Sequence, residues 1–320
     1  MKKSRNFFRV GFLALTLALV LFLTGCTNGL TDTTNDIIDE GLNDIVGTAD
    51  DAGVFETLLA AAEEAGLVDA LKAEGPLTVF APNDKAFEDF LNAMEMEASE
   101  LLADPRLANV LKYHVVPGKV MSSDLSDGMQ AETLLSPQQI TISIGEGAFL
   151  NDEIEVITPD VEASNGVIHI IDGVLMPDDI VDTAIKADGF DTLVTAVVTA
   201  DLVDALKGPG LFTVFAPNDQ AFENLITERD DVDSVEDLLG LEELESILLY
   251  HVVSEQVMAE DVLGLDGVEV ETLLEQKITI SIENGDVIIN DSNVIITDIQ
   301  TLNGVIHVID KVLLPELPED

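Results

Sequence analysis

The sequence predicts an α+β fold made of one domain that occurs twice. The block Thr78–Phe87 returns as Thr213–Phe222 with nine of ten residues identical, and Asn165–Asp172 returns as Asn303–Asp310. The copies are offset by about 137 residues, which is the size of an independent domain and far longer than a solenoid repeat. In each copy the helical patterns come first and the strand patterns second. That order is typical of α+β domains and not of doubly wound ones.

Residues 1–25 have the features of a lipoprotein signal peptide, which takes no part in the fold. Four basic residues precede the apolar run Val10–Leu23, whose 14 residues are fewer than the roughly 20 that span a bilayer. The run leads into Leu23–Cys26, which resembles a bacterial lipobox, and Cys26 is the only cysteine of the chain. We therefore expect lipidation at Cys26, a lipid anchor in the membrane, and a place in the cell envelope on the periplasmic or extracellular face. An ordinary secretory signal is the alternative.

The chain after the signal peptide is strongly acidic. Its 295 residues carry 10 basic and 62 acidic side chains, a net charge of −52. Such a charge makes nucleic acid and anionic lipid headgroups poor partners. It is typical of proteins from saline habitats, and a calcium-binding surface is the alternative. The richest cluster, Glu228–Asp233, lacks the glycine of an EF-hand loop, so we expect no metal site and no cofactor.

The organisation predicted from composition has three parts after the signal peptide. Residues 26–44 are rich in Thr, Asn and Asp and suit an acidic tether. The first domain is expected over residues 45–177 and the second over 178–316. Met176–Asp179 leads directly into the first apolar pattern of the second copy, so we expect a very short linker and limited relative freedom of the two domains.

The helices of each copy are predicted from apolar spacing. Val54–Leu71 has a helical pattern that is broken near Gly66. Leu77–Phe80 reads as a short strand, after which Asn83 or Asp84 caps a second helix. A further helix that carries Leu107, Val110 and Leu111 is expected to end at the Tyr-His pair.

The strands follow the helices. Strict alternation in Ile140–Ile144 and in Ile278–Ile282 predicts half-buried strands. In the second copy Asn284–Gly285 separates such a strand from Val287–Ile289, which predicts a hairpin. Each copy closes with an apolar strand, Val167–Ile171 or Val305–Ile309.

Both copies resemble fasciclin (FAS1) domains, and together they cover about 85% of the chain. Thr78–Phe87 and Thr213–Phe222 resemble the first family motif, "TVFAPTDxAF". Asn165–Asp172 and Asn303–Asp310 resemble the second, "NGVIHVID", and the Tyr-His pair lies between them as in the family. The resemblance implies a β-sheet wedge flanked by helices and a role in adhesion to cells, matrix or surface carbohydrate. A surface or matrix protein or a polysaccharide is the implied partner.

The resemblance also implies where a partner binds. In animal members, integrin contact is assigned to an Asp-Ile pair before the second motif and to residues around the Tyr-His motif. The matching positions are the candidate adhesion contacts here: Asp160, Val161, Asp298, Ile299, Tyr113, His114, Tyr250 and His251.

The other classes of function find less support in the residues. The four histidines lie among apolar residues, so we interpret them as structural, with ring nitrogens bonded to backbone or to a buried Asp. There is no Gly-x-Ser-x-Gly elbow and no phosphate-binding loop, so we do not expect an enzyme. The alternative to adhesion is an envelope lipoprotein that binds a small lipid or sugar in an apolar pocket between the helices and the sheet.

Overall fold

The computed structural model describes residues 41–229, 232–262, 267–283 and 285–316. The predicted signal peptide, Cys26 and most of the predicted tether lie outside the described residues. No helix within the described ranges is long and apolar enough to cross a membrane. Both copies of the repeat belong to one compact unit that begins at Leu42.

The first copy has its helices before most of its strands, as predicted. Its helices break at Gly66, which has a left-handed φ of 67° that favours glycine. The helices are α1 Ile45–Ala52, α2 Glu56–Glu64, α3 Val68–Lys72, α4 Asp84–Ala93, α5 Ala98–Leu102 and α6 Leu107–Tyr113. The strands are β1 Leu77–Pro82, β2 Val115–Pro117, β3 Met129–Glu132, β4 Gln139–Ile144, β5 Ala148–Leu150, β6 Ile154–Ala163 and β7 Gly166–Ile171.

The second copy repeats this order, with a short α-helix (α13, Ala259–Val262) where the first copy has the 3₁₀ helix Ser122–Asp124. The predicted hairpin is present, because Glu283 pairs with Asp286 at its tip, although Asn284 lies outside the described residues. The helices are α7 Ile180–Lys186, α8 Asp191–Thr199, α9 Val203–Lys207, α10 Asp219–Glu228, α11 Val235–Leu239, α12 Leu244–Tyr250 and α13 Ala259–Val262. The strands are β8 Phe212–Pro217, β9 Val252–Val253, β10 Val268–Glu271, β11 Lys277–Glu283, β12 Asp286–Ile289, β13 Ser292–Thr301 and β14 Gly304–Ile309.

Each copy forms one seven-stranded sheet flanked by helices, which confirms the predicted α+β class. The strand orders are β2-β1-β7-β6-β5-β4-β3 and β10-β11-β12-β13-β14-β8-β9. The two repeated motifs pair in parallel at the centre of each sheet, with Val79 opposite Ile168 and Val214 opposite Ile306. The other described strand pairs are antiparallel. The two most faithfully repeated sequences are therefore neighbours in space.

The central strands bury residues on both faces. Val79 and Ala81 of β1 pack toward α1 and α2. Phe80, between them, belongs to a second core formed with Ile140 and Leu150 of the antiparallel hairpins. Because successive side chains of a strand point to opposite faces, one short motif supplies both cores.

The Asn-Asp pair of the first motif caps two helices. Asn83 Oδ1 accepts from the backbone N–H of Ala86 at 2.8 Å and caps α4, as predicted. The Asp84 carboxylate instead accepts from the N–H groups of Thr57 at 2.8 Å and Glu56 at 3.2 Å, which are in the first turn of α2. The motif thus joins two helices that are separated in sequence. Asn218 and Asp219 make the matching bonds to Ala221 and Thr192.

Candidate functional site

The Tyr-His pairs end α6 and α12 and lie in the interior. His114 is 1% exposed, and its Nδ1–H donates to the Val110 carbonyl at 2.8 Å. Its Nε2 accepts from the Leu175 N–H at 3.0 Å, so the neutral ring has a partner for each nitrogen. Burial lowers the pKa of His114 to about 4, against the opposing effect of the bond to Val110.

The second copy repeats this arrangement. His251 donates from Nδ1 to the Ile247 carbonyl at 2.7 Å and accepts at Nε2 from the Leu313 N–H at 2.9 Å. Burial lowers its pKa to about 4 as well. Both histidines therefore fix the segment that follows the last strand of their domain onto the end of a helix.

The tyrosines of these pairs are also buried. The Tyr113 hydroxyl donates to the Gln139 carbonyl at 2.9 Å and accepts from the Asn151 amide at 3.0 Å. Tyr250 bonds in the same way to Lys277 and Asn290. Burial raises the pKa of Tyr113. Both Tyr-His pairs make their hydrogen bonds inside their own domain. Their role in contacting a partner stays a prediction.

The Asp residues before the second motif occupy backbone bulges. Asp160 and Asp298 have left-handed φ values of 60° and 59°, at register shifts in β6 and β13. The Asp160 carboxylate accepts from the N–H of Ser122 at 2.8 Å and from its hydroxyl. The bonds from Ser122 lower the pKa of Asp160. Asp298 accepts from the Ala259 N–H at 2.8 Å.

The histidines of the second motif, His169 and His307, are hydrogen-bonded to the backbone of these bulges. His169 accepts at Nδ1 from the Asp160 N–H at 3.2 Å and donates from Nε2 to the Val120 carbonyl at 2.8 Å. Its ring stacks on Phe80, with centroids 5.4 Å apart. His307 makes the same three contacts with Asp298, Val257 and Phe215. Burial lowers the pKa of His307.

All four histidines of the chain therefore have both ring nitrogens bonded to backbone groups. This confirms the structural interpretation given to them from the sequence. Within the described ranges, no three His, Cys, Asp or Glu side chains come close enough to hold a metal ion.

The bulges present apolar side chains to solvent. Ile157 is 44% exposed, and Ile295 and Ile296 are 49% and 53% exposed. Val161 and Ile299, the other members of the Asp pairs, are half-buried and pack against the helix-side cores instead. Sequence reasoning named the Asp residues but missed these isoleucines. The sequence does contain a pattern that points to these isoleucines, because an apolar residue occurs two or three positions before Asp160 and Asp298 in both copies.

An apolar cavity lies between the helices and the sheet of each domain, where the ligand-binding alternative places it. The cavity of the second domain has a volume of about 60 Å³ and is lined by Ile180, Phe190, Leu193 and Leu202 among others. The cavity of the first domain, about 50 Å³, is lined by Ile45, Ala49, Leu59 and Leu67 among others.

A family model decides the identity. The fasciclin domain model matches residues 53–177 and 188–315. The chain belongs to the fasciclin domain family. These two matches each contain a first motif, a Tyr-His pair and a second motif, so the family resemblance of the sequence is confirmed.

Relatives of this fasciclin chain occur in distant organisms. Human periostin is 30% identical over 257 residues, which are 78% of this chain and 30% of that protein. Pig transforming growth factor-beta-induced protein ig-h3 is 29% identical over 251 residues, 77% of this chain and 36% of that protein. The chain thus spans about a third of the length of these two relatives. Protein sll1483 of Synechocystis is 42% identical over 137 residues, 42% of this chain and 73% of that protein.

A solved structure of a FAS1 domain pair from the insect cell adhesion molecule Fasciclin I also aligns with the chain. The alignment covers 83% of this chain and 98% of the insect one, with 19% sequence identity and a TM-score of 0.44.

Proposed function

We propose that the chain is a non-catalytic surface lipoprotein whose two fasciclin domains mediate adhesion to a neighbouring cell or to the extracellular matrix. Its partner is a surface or matrix protein or a polysaccharide. The observation that carries this proposal is the duplicated bulge, where Asp160 or Asp298 is fixed by hydrogen bonds beside exposed isoleucines. A rigid backbone that presents apolar side chains loses little conformational entropy on binding.

Lipid anchoring at Cys26 complements such a surface. Acyl chains at Cys26 would hold the acidic domains at the membrane through the tether, on the exported face of the envelope. Two bulges on each chain and many chains on each cell provide avidity, so weak contacts suffice for attachment.

Two observations favour adhesion over the binding of a small ligand and over catalysis. A cavity of about 60 Å³ is far smaller than the roughly 300 Å³ or more of ordinary ligand pockets, so a lipid or a sugar would need the helices to move apart. The histidines, which are the common proton-transfer residues of enzymes, already have both ring nitrogens bonded to backbone.

The test is attachment of native cells that produce bulge variants. We expect Ile157→Ser combined with Ile295→Ser and Ile296→Ser to reduce attachment to the level of cells without the protein. The matched control is Ile185→Ser, because Ile185 is 59% exposed on α7 and belongs to neither bulged strand. Surface amounts are equalised by immunoblot of intact cells. Unchanged attachment by the triple variant on protein-coated and polysaccharide-coated surfaces would refute the proposal.

Cys26→Ser tests the anchor separately. We expect the variant to leave the membrane fraction and enter the medium or the periplasm, with cell attachment lost although the domains stay folded. A variant that stays in the membrane fraction after a salt wash would contradict lipid anchoring.

A further inference from the structure

The two domains meet at Asp178. The Asp178 N–H donates to Gln138 Oε1 at 2.8 Å, and its carbonyl accepts from Gln138 Nε2 at 2.8 Å. The same carbonyl accepts from the Leu302 N–H of the second domain at 2.8 Å. Asp178 is thus bonded at once to both domains.

The equivalent positions of the repeat show that Asp178 combines two roles. At the end of the second domain, Glu316 exchanges the same pair of bonds with Gln276, at 2.9 and 2.7 Å. At the start of the first domain, the Asn43 carbonyl accepts from the Ser164 N–H at 2.9 Å. Asp178 closes one domain as Glu316 does and opens the next as Asn43 does, so the linker has no residues of its own.

Further contacts join the domains around Asp178. The amide of Asn109, which is 3% exposed on α6, donates to the carbonyls of Thr301 at 3.0 Å and Leu302 at 3.1 Å. The Gln300 N–H donates to the Ser136 carbonyl at 2.9 Å. The Leu302 side chain packs on the helical core of the first domain. A buried amide without these carbonyls would be left unsatisfied, so the contact favours one fixed arrangement.

The copies differ at these contacts. Asn109 is the third residue of α6, and the third residue of α12 is Ser246. The loop residues Ser136 and Pro137 are replaced by Glu275 alone, which is exposed. The surface of the second domain that corresponds to the docking surface of the first therefore lacks its buried amide and carries a charge.

The opposite surface shows a matching change. Leu302 lies in the turn between β13 and β14, and Ser164 takes its place between β6 and β7. Gln300 is replaced by Glu162, and both Ser164 and Glu162 are exposed. Leu302 and Gln300 are thus absent from the equivalent surface that faces away from the junction.

We propose that the junction is a docking interface that forms only between the two domains of one chain. It couples the two domains into one cooperative body, and Asn109 and Leu302 specify it. The outward-facing equivalents, with Ser246 and Glu275 on one side and Ser164 and Glu162 on the other, do not accept a second copy of the chain. This inference does not depend on the adhesive function.

Coupling is tested by destabilising one domain and observing the other. Ile306→Ala opens the core of the second domain, since Ile306 is 2% exposed. Hydrogen exchange measured by mass spectrometry follows each domain of the full chain. With the junction intact, we expect exchange in the first-domain strands to accelerate about tenfold or more. In an Asn109→Ser/Leu302→Ser background, which installs the residues of the other copy, only the second domain should accelerate.

The matched control makes the reciprocal exchange away from the junction. Ser246→Asn and Ser164→Leu should each leave the coupling unchanged. A first domain that is insensitive to Ile306→Ala in the intact chain would overturn the proposal, and so would equal coupling with and without Asn109→Ser/Leu302→Ser.

The outward surfaces are tested by sedimentation of the full chain carrying Cys26→Ser. Salt near 1 M reduces the Debye length to about 3 Å, so charge repulsion between the acidic chains no longer prevents association. We expect a monomer at all concentrations. Growth into head-to-tail chains, which an unclosed heterologous contact produces, would overturn the second half of the proposal.

Discussion

Acidification should unfold this protein through two buried histidines. His114 and His251 are neutral and bonded at both ring nitrogens, and burial lowers the pKa of each to about 4. In the unfolded chain the pKa returns to the ordinary value of about 6.5. The unfolded state therefore takes up protons first. The stabilisation is complete above about pH 6.5 and is lost as the pH falls toward 4.

The size of the effect follows from these two pKa values. Between pH 7 and pH 5, each histidine lowers the free energy of unfolding by about 2 kcal/mol. Two histidines in one cooperative body give about 4 kcal/mol, a large part of the stability of an ordinary domain. The carboxylates are common to the wild type and a histidine variant, so a comparison of the two isolates the histidine effect.

The assay is urea unfolding at pH 7 and at pH 5, for the wild type and for His114→Gln. Glutamine retains an acceptor for the Leu175 N–H but does not titrate. We expect the variant to be less stable at pH 7 and to lose about 2 kcal/mol less than the wild type on acidification. Thr78→Val is the control, because it removes the bond that the Thr78 hydroxyl donates to the Gly118 carbonyl and the one that it accepts from the Val120 N–H, without changing a titrating group.

Two outcomes would refute this reasoning. One is an equal loss of stability between pH 7 and pH 5 in the wild type and in His114→Gln. The other is direct NMR titration of His114 or His251 with a pKa near 6.5 in the folded chain. With only four histidines in the sequence, each ring signal can be assigned by substitution.

Three further predictions concern caps, glycines and charge. Asp84→Ala and Asp219→Ala should each lower the free energy of unfolding in urea by about 1 kcal/mol, since each removes the cap of a helix in the preceding segment. An unchanged free energy of unfolding would mean that solvent satisfies those N–H groups equally well. Gly166→Ala should lower the free energy of unfolding by more than about 3 kcal/mol, because a Cβ there would lie 2.0 Å from the Leu77 carbonyl oxygen. Gly304→Ala should have the same effect, because its Cβ would meet the Phe212 carbonyl oxygen. Urea midpoints near that of the wild type would contradict this. Stability should rise steadily with NaCl, whereas saturation at millimolar CaCl₂ would reveal specific cation sites and contradict salt adaptation.

The local elements were predictable because their signals lie within a few residues. The cap at Asn83, the break at Gly66 and the alternation in Ile140–Ile144 depend on neighbouring side chains and backbone. The buried state of the histidines followed from their apolar neighbours in the same way. These features need no knowledge of which strands pair.

The long-range contacts were not predictable from the same patterns. Nothing near Asp84 indicates that it caps a helix 27 residues earlier, and nothing near Tyr113 names Gln139 as its acceptor. Only part of the candidate site could be predicted from the sequence. The Asp positions came from a family motif, but their bulges arise from register shifts between β6 and β7 that only the pairing of the sheet defines.

Differences between the copies carry information that their identities do not. Residues shared by both copies, such as Asp84 and His114, have contacts inside one domain and would be needed in any single fasciclin domain. Asn109 and Leu302 are not shared, and both contact the other domain. These differences therefore mark Asn109 and Leu302 as docking residues, in contrast to residues such as Asp84 and His114 that fold each domain. By the same reasoning, the bulge positions that differ between the copies, such as Thr158 in the first and Ile296 in the second, are where the two domains should differ in partner preference.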